Sequence, residues 1–493
     1  MQFTSLPFLI FFPVVVLIYF VIPHRFRYLW LLFCSYFFYA CQDGSATVLL
    51  MVSTVITWSA GRLVYKADSV WMKNLYVGMG FFLNLIILLY FKYSGAVAAL
   101  FGIGTGFGLL LPAGISFYTF QSLTYIMDCY REEVKPQNNL LKYALFVSFF
   151  PCILSGPIER AKNILPQIDE EHKWDSIRAK EGLFLMLWGA FLKLVIVSRL
   201  EILTDYVYSG KGPALNAQSI QTGGIQAGGL CGIPMIIAMF AYSFLIYCDF
   251  AGYSFMAVGA ARVMGFNVMR NFRQPYLSVS VADFWRRWHI SLSTWFRDYL
   301  YIPLGGSRRG TLKRYLNIMI VFAVSGIWHG ATMNFLIWGL LYGIYQVIGY
   351  AARPLKDKAS AVSRINRHTA VKRLLCNAFT FVLVSVTWIF FRSANVLTAV
   401  DEIGRTFRGI RVSELFDGTL TRLGLGTMNL LFVAVALVIL ILVDIMCEKK
   451  NKEVFSLMDN TPAGIRWCVY YLLMVMILFS CNLSTQEFLY QGF

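Results

Sequence analysis

Residues 283–310, DFWRRWHISLSTWFRDYLYIPLGGSRRG, together with SGIWHGATMNFLIWG at 325–339, hold nearly all the legible chemistry of this chain. The first run is dense in tryptophan and arginine and sets His289 among Arg286, Arg287, Arg297 and Asp298. The second places His329 at the end of an apolar run, residues 316–328. An ionisable group at membrane depth is costly and marks a functional site, so His329 is read as the reactive residue. A single helix over 283–301 would put Phe284, Trp288, Leu292, Trp295 with Phe296, and Tyr299 on one face. Arg286, His289, Ser293 and Arg297 would fall on another, at i, i+3, i+7 and i+11. Such a helix cannot cross lipid unshielded: it either anchors at the cytoplasmic interface or lines a protein-walled cavity. His289 on the arginine stripe favours the cavity.

Around this stretch the sequence is lipid-soluble. Of 493 residues 58% are hydrophobic and 14% charged, and the mean hydropathy is +0.61, more apolar side chain than a soluble fold can bury. The chain is read as an all-α polytopic membrane protein, a single membrane domain over 1–493. Apolar runs at 6–22, 75–91, 182–198, 225–250, 335–350, 374–391, 429–447 and 467–482, with shorter ones at 28–40, 47–60, 101–127 and 316–330, predict roughly eleven to thirteen crossings at about 20 residues each. The run at 6–22 lacks a basic flank and a small-residue cleavage pattern, so it is expected to remain as a helix rather than leave as a signal peptide. Ten cysteines occur singly, without CxxC pairs; Cys34, Cys152, Cys248, Cys376, Cys468 and Cys481 read as buried thiols.

The net charge of +17 is read as positive-inside bias and attraction to anionic lipid, not as a nucleic-acid surface. Basic residues fall in alternate loops, at 24–27, 62–73 and 131–142, then at 308–314, 353–373 and 449–452 if residues 143–154 form a re-entrant piece. That parity places both termini outside the plasma membrane. GIGTGFG at 102–108 lacks the strand and helix of a phosphate loop and reads as a close helix-packing run. Residues 111–131 carry Ser, Thr, Tyr and Gln, which suit either a helix facing a polar interior or bonds between helices. His172, beside Glu170 and Glu171, reads as a solvated surface histidine. Residues 203–229 read as an outer loop. Asp249, ending a long apolar run, is expected to pair with an arginine, with Arg262, Arg270 and Arg273 close in sequence, or to line a polar path.

Arginines at a cytoplasmic mouth are the groups a phosphate-bearing acyl donor needs, such as a coenzyme A thioester or a phosphopantetheine carrier. Arg286, Arg287 and Arg297 are therefore the expected donor-binding residues. A helix from Tyr315 would carry His329 about 21 Å, at 1.5 Å per residue, from the inner face. Ser325, Thr332 and Asn334 could fix one ring nitrogen so that the other acts as base. Forty residues separate the two histidines, and neither HExxH nor a cysteine cluster is present, so no metal site is expected. A serine nucleophile turn is likewise missing.

These residues resemble the membrane-bound O-acyltransferase family, and within it the alginate O-acetyltransferase-like bacterial branch. The resemblance runs from LPAGISFYTFQSLTYIMDCYR through FFPCILSGPIERA, YCDFAGYS and NFRQPYLSVSVADFWRRWHISLSTWFRDYLYIPLGGSRRG to SGIWHGATMNFLIWG, a core of about 110–345. It implies acyl transfer to a hydroxyl, with the family's membrane histidine on His329 and its second histidine on His289. It also implies an acetyl-CoA-like thioester donor, no permanently bound cofactor, a glycan acceptor and an extracytoplasmic esterase-like partner. Phe255 departs from the branch, where an aspartate often follows the tyrosine-serine pair. The rival readings are teichoic-acid D-alanyl transfer from a carrier protein, a polysaccharide or lipid transporter, and a scaffold subunit.

Overall fold

The computed structural model describes residues 1–100, 111–209, 230–352, 370–459 and 461–480. The glycine run at 102–108, most of the loop at 203–229, the basic segment 353–369, Cys481 and the tail 484–493 lie outside them. Every regular element among the described residues is a helix. By length and composition seven can cross a membrane: Gly44–Lys66, Val70–Gly95, Ser176–Tyr208, Ile233–Met264, Ala370–Arg392, Gly426–Lys450 and Ala463–Ser480. Leu6–Val21, His24–Ala40 and Ile115–Tyr130 have 16 or 17 residues. Thr311–His329 and Met333–Ala351 have 19 each, but their basic, asparagine and tyrosine positions lower their hydropathy. The chain is a multi-pass membrane protein.

Contacts divide the described residues into two units, one of residues 1–190 and 252–271, the other of 191–251 and 272–480. In the first, helix starts are set by side chains that satisfy otherwise orphaned N–H groups. Asp43 accepts from Ser45 and Ala46 at 2.9 and 3.1 Å, and Asn139 from Leu141 at 2.9 Å. Gly182 and Gly259 let two helices touch backbone to backbone: a Cβ on either would lie 2.5–2.6 Å from the other's carbonyl oxygen. Residues 140–153 form the two short helices Leu140–Ser148 and Phe150–Ile153, buried almost throughout and too short to cross.

His172 is not solvated. It is 7% exposed, its Nε2 meets the Gln167 carbonyl at 2.9 Å, and its ring lies 4.7 Å from that of Phe266. The bare backbone of Gly265 makes room for it, since a Cβ there would sit 2.7 Å from the imidazole. The sequence reading failed because the flanking charges belong to a segment that folds back over an apolar ring. Nearby, the buried Glu159 accepts from Asn163 Nδ2 at 2.8 Å and from the Met269 N–H, and burial raises its carboxyl above the usual range.

In the second unit the partner of Asp249 is Lys193, not an arginine; both side chains are buried, at 0% and 1% exposure. Lys193 lies in a π-helical turn, Leu192–Val197, that interrupts an otherwise α-helical stretch. Such single-turn bulges let a side chain leave the helical register. A lone lysine in LKLVIV was the available signal for it. Of the cysteines, Cys34, Cys152 and Cys248 are buried as expected, but Cys376 is partly exposed and Cys468 exposed.

Candidate active site

The expected single helix over 283–301 is broken. Ser280 caps Val281–Arg287 by accepting from the Asp283 N–H at 3.1 Å; Trp288 then takes an extended conformation, and His289 a left-handed one at φ +41°. Ile290–Phe296 follows, then a π-helical turn, Arg297–Tyr301. A non-glycine residue held left-handed is strained and recurs where the fold needs a side chain aimed off its helix. The kink ends the regular spacing of the stripe: Arg286, Ser293 and Arg297 still line one pocket, whereas His289 leaves it.

His289 goes inward. It is 1% exposed, stands edge-on to Phe250 with ring centroids 4.6 Å apart, and lies 6.5 Å from the indole of Trp328. Burial pushes its imidazole down to about 3, so it is neutral at physiological pH. Arg287 turns to acids: its Nε is 3.1 Å from Asp283, and its two terminal nitrogens donate to Glu448 at 2.7 and 3.1 Å. Arg286 and Arg297 remain exposed and line a pocket of about 370 Å³ with Trp285, Tyr301, Ser325 and Gln346. Arg297 also pairs with Asp298 at 2.8 Å.

Behind the pocket runs Thr311–His329. Asn317 on this helix donates to the carbonyls of Leu304 and Gly306 at 3.3 and 3.0 Å, pinning the IPLGG turn to its lower end. Gly326 and Gly339 bring it against Met333–Ala351: a Cβ on Gly326 would strike the Phe335 carbonyl, and one on Gly339 that of Phe322. At the top His329 is 4% exposed, enclosed by Trp328, Trp338 and Phe391 at ring-centroid distances of 4.7, 4.8 and 5.4 Å. Ser325, one turn earlier, is 3% exposed and reaches the pocket wall. Trp328 therefore touches both imidazoles, and Ser325 connects the histidine's helix to the arginine-rimmed pocket.

The sequence model of the membrane-bound O-acyltransferase family matches residues 18–391. The chain belongs to this family. It is an O-acyltransferase. Among its relatives, the probable alginate O-acetylase AlgI of Pseudomonas putida is 36% identical over 453 residues, 88% of this chain and 87% of the relative. The peptidoglycan O-acetyltransferase of Helicobacter pylori is 31% identical, covering 76% of this chain and 72% of its own. The teichoic acid D-alanyltransferase of Bacillus subtilis is 31% identical over 47% of this chain and 57% of its own.

Within this O-acyltransferase the expected supporting residues divide. Asn334 is half committed: its Nδ2 donates to the Ser393 carbonyl at 2.5 Å, while its Oδ1 is buried with no hydrogen-bond partner among the described residues. Thr332 is exposed. The indole N–H of Trp338, against His329, is likewise buried without a partner among the described residues. A buried polar atom left without a protein partner calls for water or another polar group beside it. Sequence reasoning missed Trp338, although it stands in the same SGIWHGATMNFLIWG run as His329, and also Phe391 and Ser393, which no motif joins to WHG. It also missed Glu448, whose CEKKNKE run reads as an ordinary charged loop.

Proposed function

We propose that this O-acyltransferase moves an acetyl group from a cytoplasmic thioester, acetyl-CoA or a close relative, to a hydroxyl of an extracytoplasmic polysaccharide or cell-envelope glycan. The transfer runs directly or through an esterase-like partner outside the membrane. The observation that carries this reading is Ser325, buried on the wall of the pocket whose rim holds Arg286 and Arg297 and one helical turn below His329. The two exposed guanidiniums suit the phosphates of the donor. A pocket of about 370 Å³ suits its thioester arm rather than a whole nucleotide.

His329 takes the proton of the acceptor hydroxyl as its oxygen attacks the thioester carbonyl, and returns it to the departing thiolate. General-base help of this kind is worth roughly 10²–10⁴-fold. No acyl-enzyme forms. His289, neutral and edge-on to Phe250, supports the cage rather than the proton transfer. The acetyl reading is favoured over D-alanyl transfer because the O-acetylating relatives align along most of this chain, whereas the D-alanyltransferase aligns along about half. Alternation of basic loops supports both termini facing outward.

The test is His329→Ala and His329→Gln in native-host membranes supplied with radiolabelled acetyl-CoA. Both variants should reach the membrane in normal amounts and transfer no alkali-labile label to glycan, and His289→Ala should be less affected. Substantial transfer by inserted His329→Ala protein refutes the mechanism, and label trapped on a serine or cysteine of this chain replaces it.

A further inference from the structure

His329 lies against Phe391, and two residues on, the chain leaves Ala370–Arg392 at Ser393. Ser393 is a buried junction. Its carbonyl accepts from Asn334 Nδ2 at 2.5 Å, and its hydroxyl lies 2.7 Å from the Ile389 carbonyl and 2.5 Å from Oε2 of Glu402. Glu402 is 3% exposed, on the side of Val396–Phe407 that also buries Ala399 and Thr406, while Leu397, Val400 and Phe407 face outward. This helix buries a carboxyl while several apolar side chains face outward. Placing a carboxyl inside protein costs free energy unless its bonds are made, and the bond it makes is to Ser393.

A hydroxyl has one proton to give. With the Ile389 carbonyl and Glu402 both within reach, the two contacts are satisfied together only when the carboxyl keeps its proton. It then donates to the Ser393 oxygen, and the Ser393 hydroxyl donates to Ile389. The charged and titratable groups around Glu402 are Arg392, Arg405, Asp401, Tyr208 and Tyr242. Arg392 is 3.0 Å from Asp205, and Arg405 is 2.9 Å from Asp401. Burial, the largest influence, raises the Glu402 carboxyl above its ordinary range, in the direction the proton count requires.

We propose that Glu402 is a positioning residue for acyl transfer: through Ser393 it fixes the carboxamide of Asn334 and the ring of Phe391, and so the surroundings of His329. With Nδ2 committed to the Ser393 carbonyl, Asn334 presents Oδ1 as an acceptor, the buried atom left without a partner. The inference rests on His329 as the base. Two changes probe it in different ways: Glu402→Ala removes the carboxyl, whereas Glu402→Gln keeps a donor of the same shape with no proton to lose.

The experiment measures glycan acetylation from radiolabelled acetyl-CoA in native-host membranes containing equal amounts of each variant, between pH 6 and 9. Glu402→Ala and Ser393→Ala should lower kcat about tenfold with the donor KM within about twofold, the pattern of lost positioning rather than lost binding. Glu402→Gln should keep wild-type kcat at low pH. Any fall in the wild type that loss of the Glu402 proton imposes as pH rises should be absent from Glu402→Gln. Wild-type kcat in inserted Glu402→Ala or Ser393→Ala overturns the proposal. If neither accumulates, an alkaline fall unchanged in Glu402→Gln overturns it. A dead His329→Ala beside a normal Glu402→Ala removes this inference alone, whereas an active His329→Ala removes the reading beneath it.

Discussion

Arg287 and Glu448 meet guanidinium to carboxylate, 2.7 Å from one terminal nitrogen and 3.1 Å from the other, with each side chain 14% exposed. This fork ties the segment before His289 to the end of Gly426–Lys450, and Arg373 adds a third contact to the same carboxylate at 2.8 Å. Arg287→Ala is therefore expected to cost about 1.5–3 kcal/mol of stability, the range for hydrogen bonds to charged groups. The donor KM should stay unchanged. Thermal unfolding in detergent and donor kinetics on the same preparation check this, and Glu448→Gln should reproduce the destabilisation. A raised KM with unchanged unfolding would return Arg287 to the donor site.

Arg286 and Arg297, on the pocket rim, should behave in the opposite way. Each alanine variant is expected to raise the KM for acetyl-CoA by up to about fivefold, since an exposed ionic contact is worth about 0.2–1 kcal/mol, with kcat and unfolding unaffected. Because salt screens such contacts, the wild-type KM should climb with ionic strength and the double variant's much less. Equal salt dependence in the two proteins would remove the phosphates from this rim.

Gly326→Ala places a methyl against the Phe335 carbonyl, three residues before His329. Overpacking of this kind costs about 1–3 kcal/mol, and relief requires the two helices to part at the His329 end. A loss of both stability and turnover is expected. Gly349→Ala, where the added carbon meets no side chain or other helix within 4 Å, is the control and should be neutral or stabilise by up to about 1 kcal/mol. Unfolding curves that place the two variants together would contradict the close crossing.

His172 makes stability depend on pH. Burial, the largest influence, lowers its pKa from the ordinary value of 6.5, so the fold prefers the neutral ring. The stabilising contribution is complete above the unfolded value and is lost as pH falls from there toward the lowered folded value. The unfolding temperature should drop below about pH 6.5. His172→Gln should flatten that slope while lowering stability at pH 8. A slope unchanged in the variant assigns the pH dependence to another group.

How much could be read in advance follows from where each signal resides. His329 stood out as a candidate because an imidazole ending thirteen apolar residues is costly at that depth. Arg286 and Arg297 were legible as a charged cluster, but which arginines line the pocket was not, because a kink at Trp288 and His289 redirects the chain. That kink has no local mark: no proline or glycine stands there, and the left-handed backbone goes with the packing of His289 against Phe250. Lys193 and Glu402 were missed for a related reason. Each looks like an isolated polar residue until Asp249 or Ser393, 56 and 9 residues away, is brought to it.

The sequence by itself determined that the chain is helical and multi-pass, since apolar runs of membrane length admit no other backbone arrangement that satisfies its own hydrogen bonds. It also determined the family, through long motifs whose residues need only be present in order. Tertiary structure decided which histidine surroundings are built from Trp338, Phe391 and Asn334, which arginine faces an acid and which a pocket, and which carboxyl lies inward. Those are questions of what meets across helices, and a side chain's partner there depends on crossing points and rotamers that no local spacing encodes.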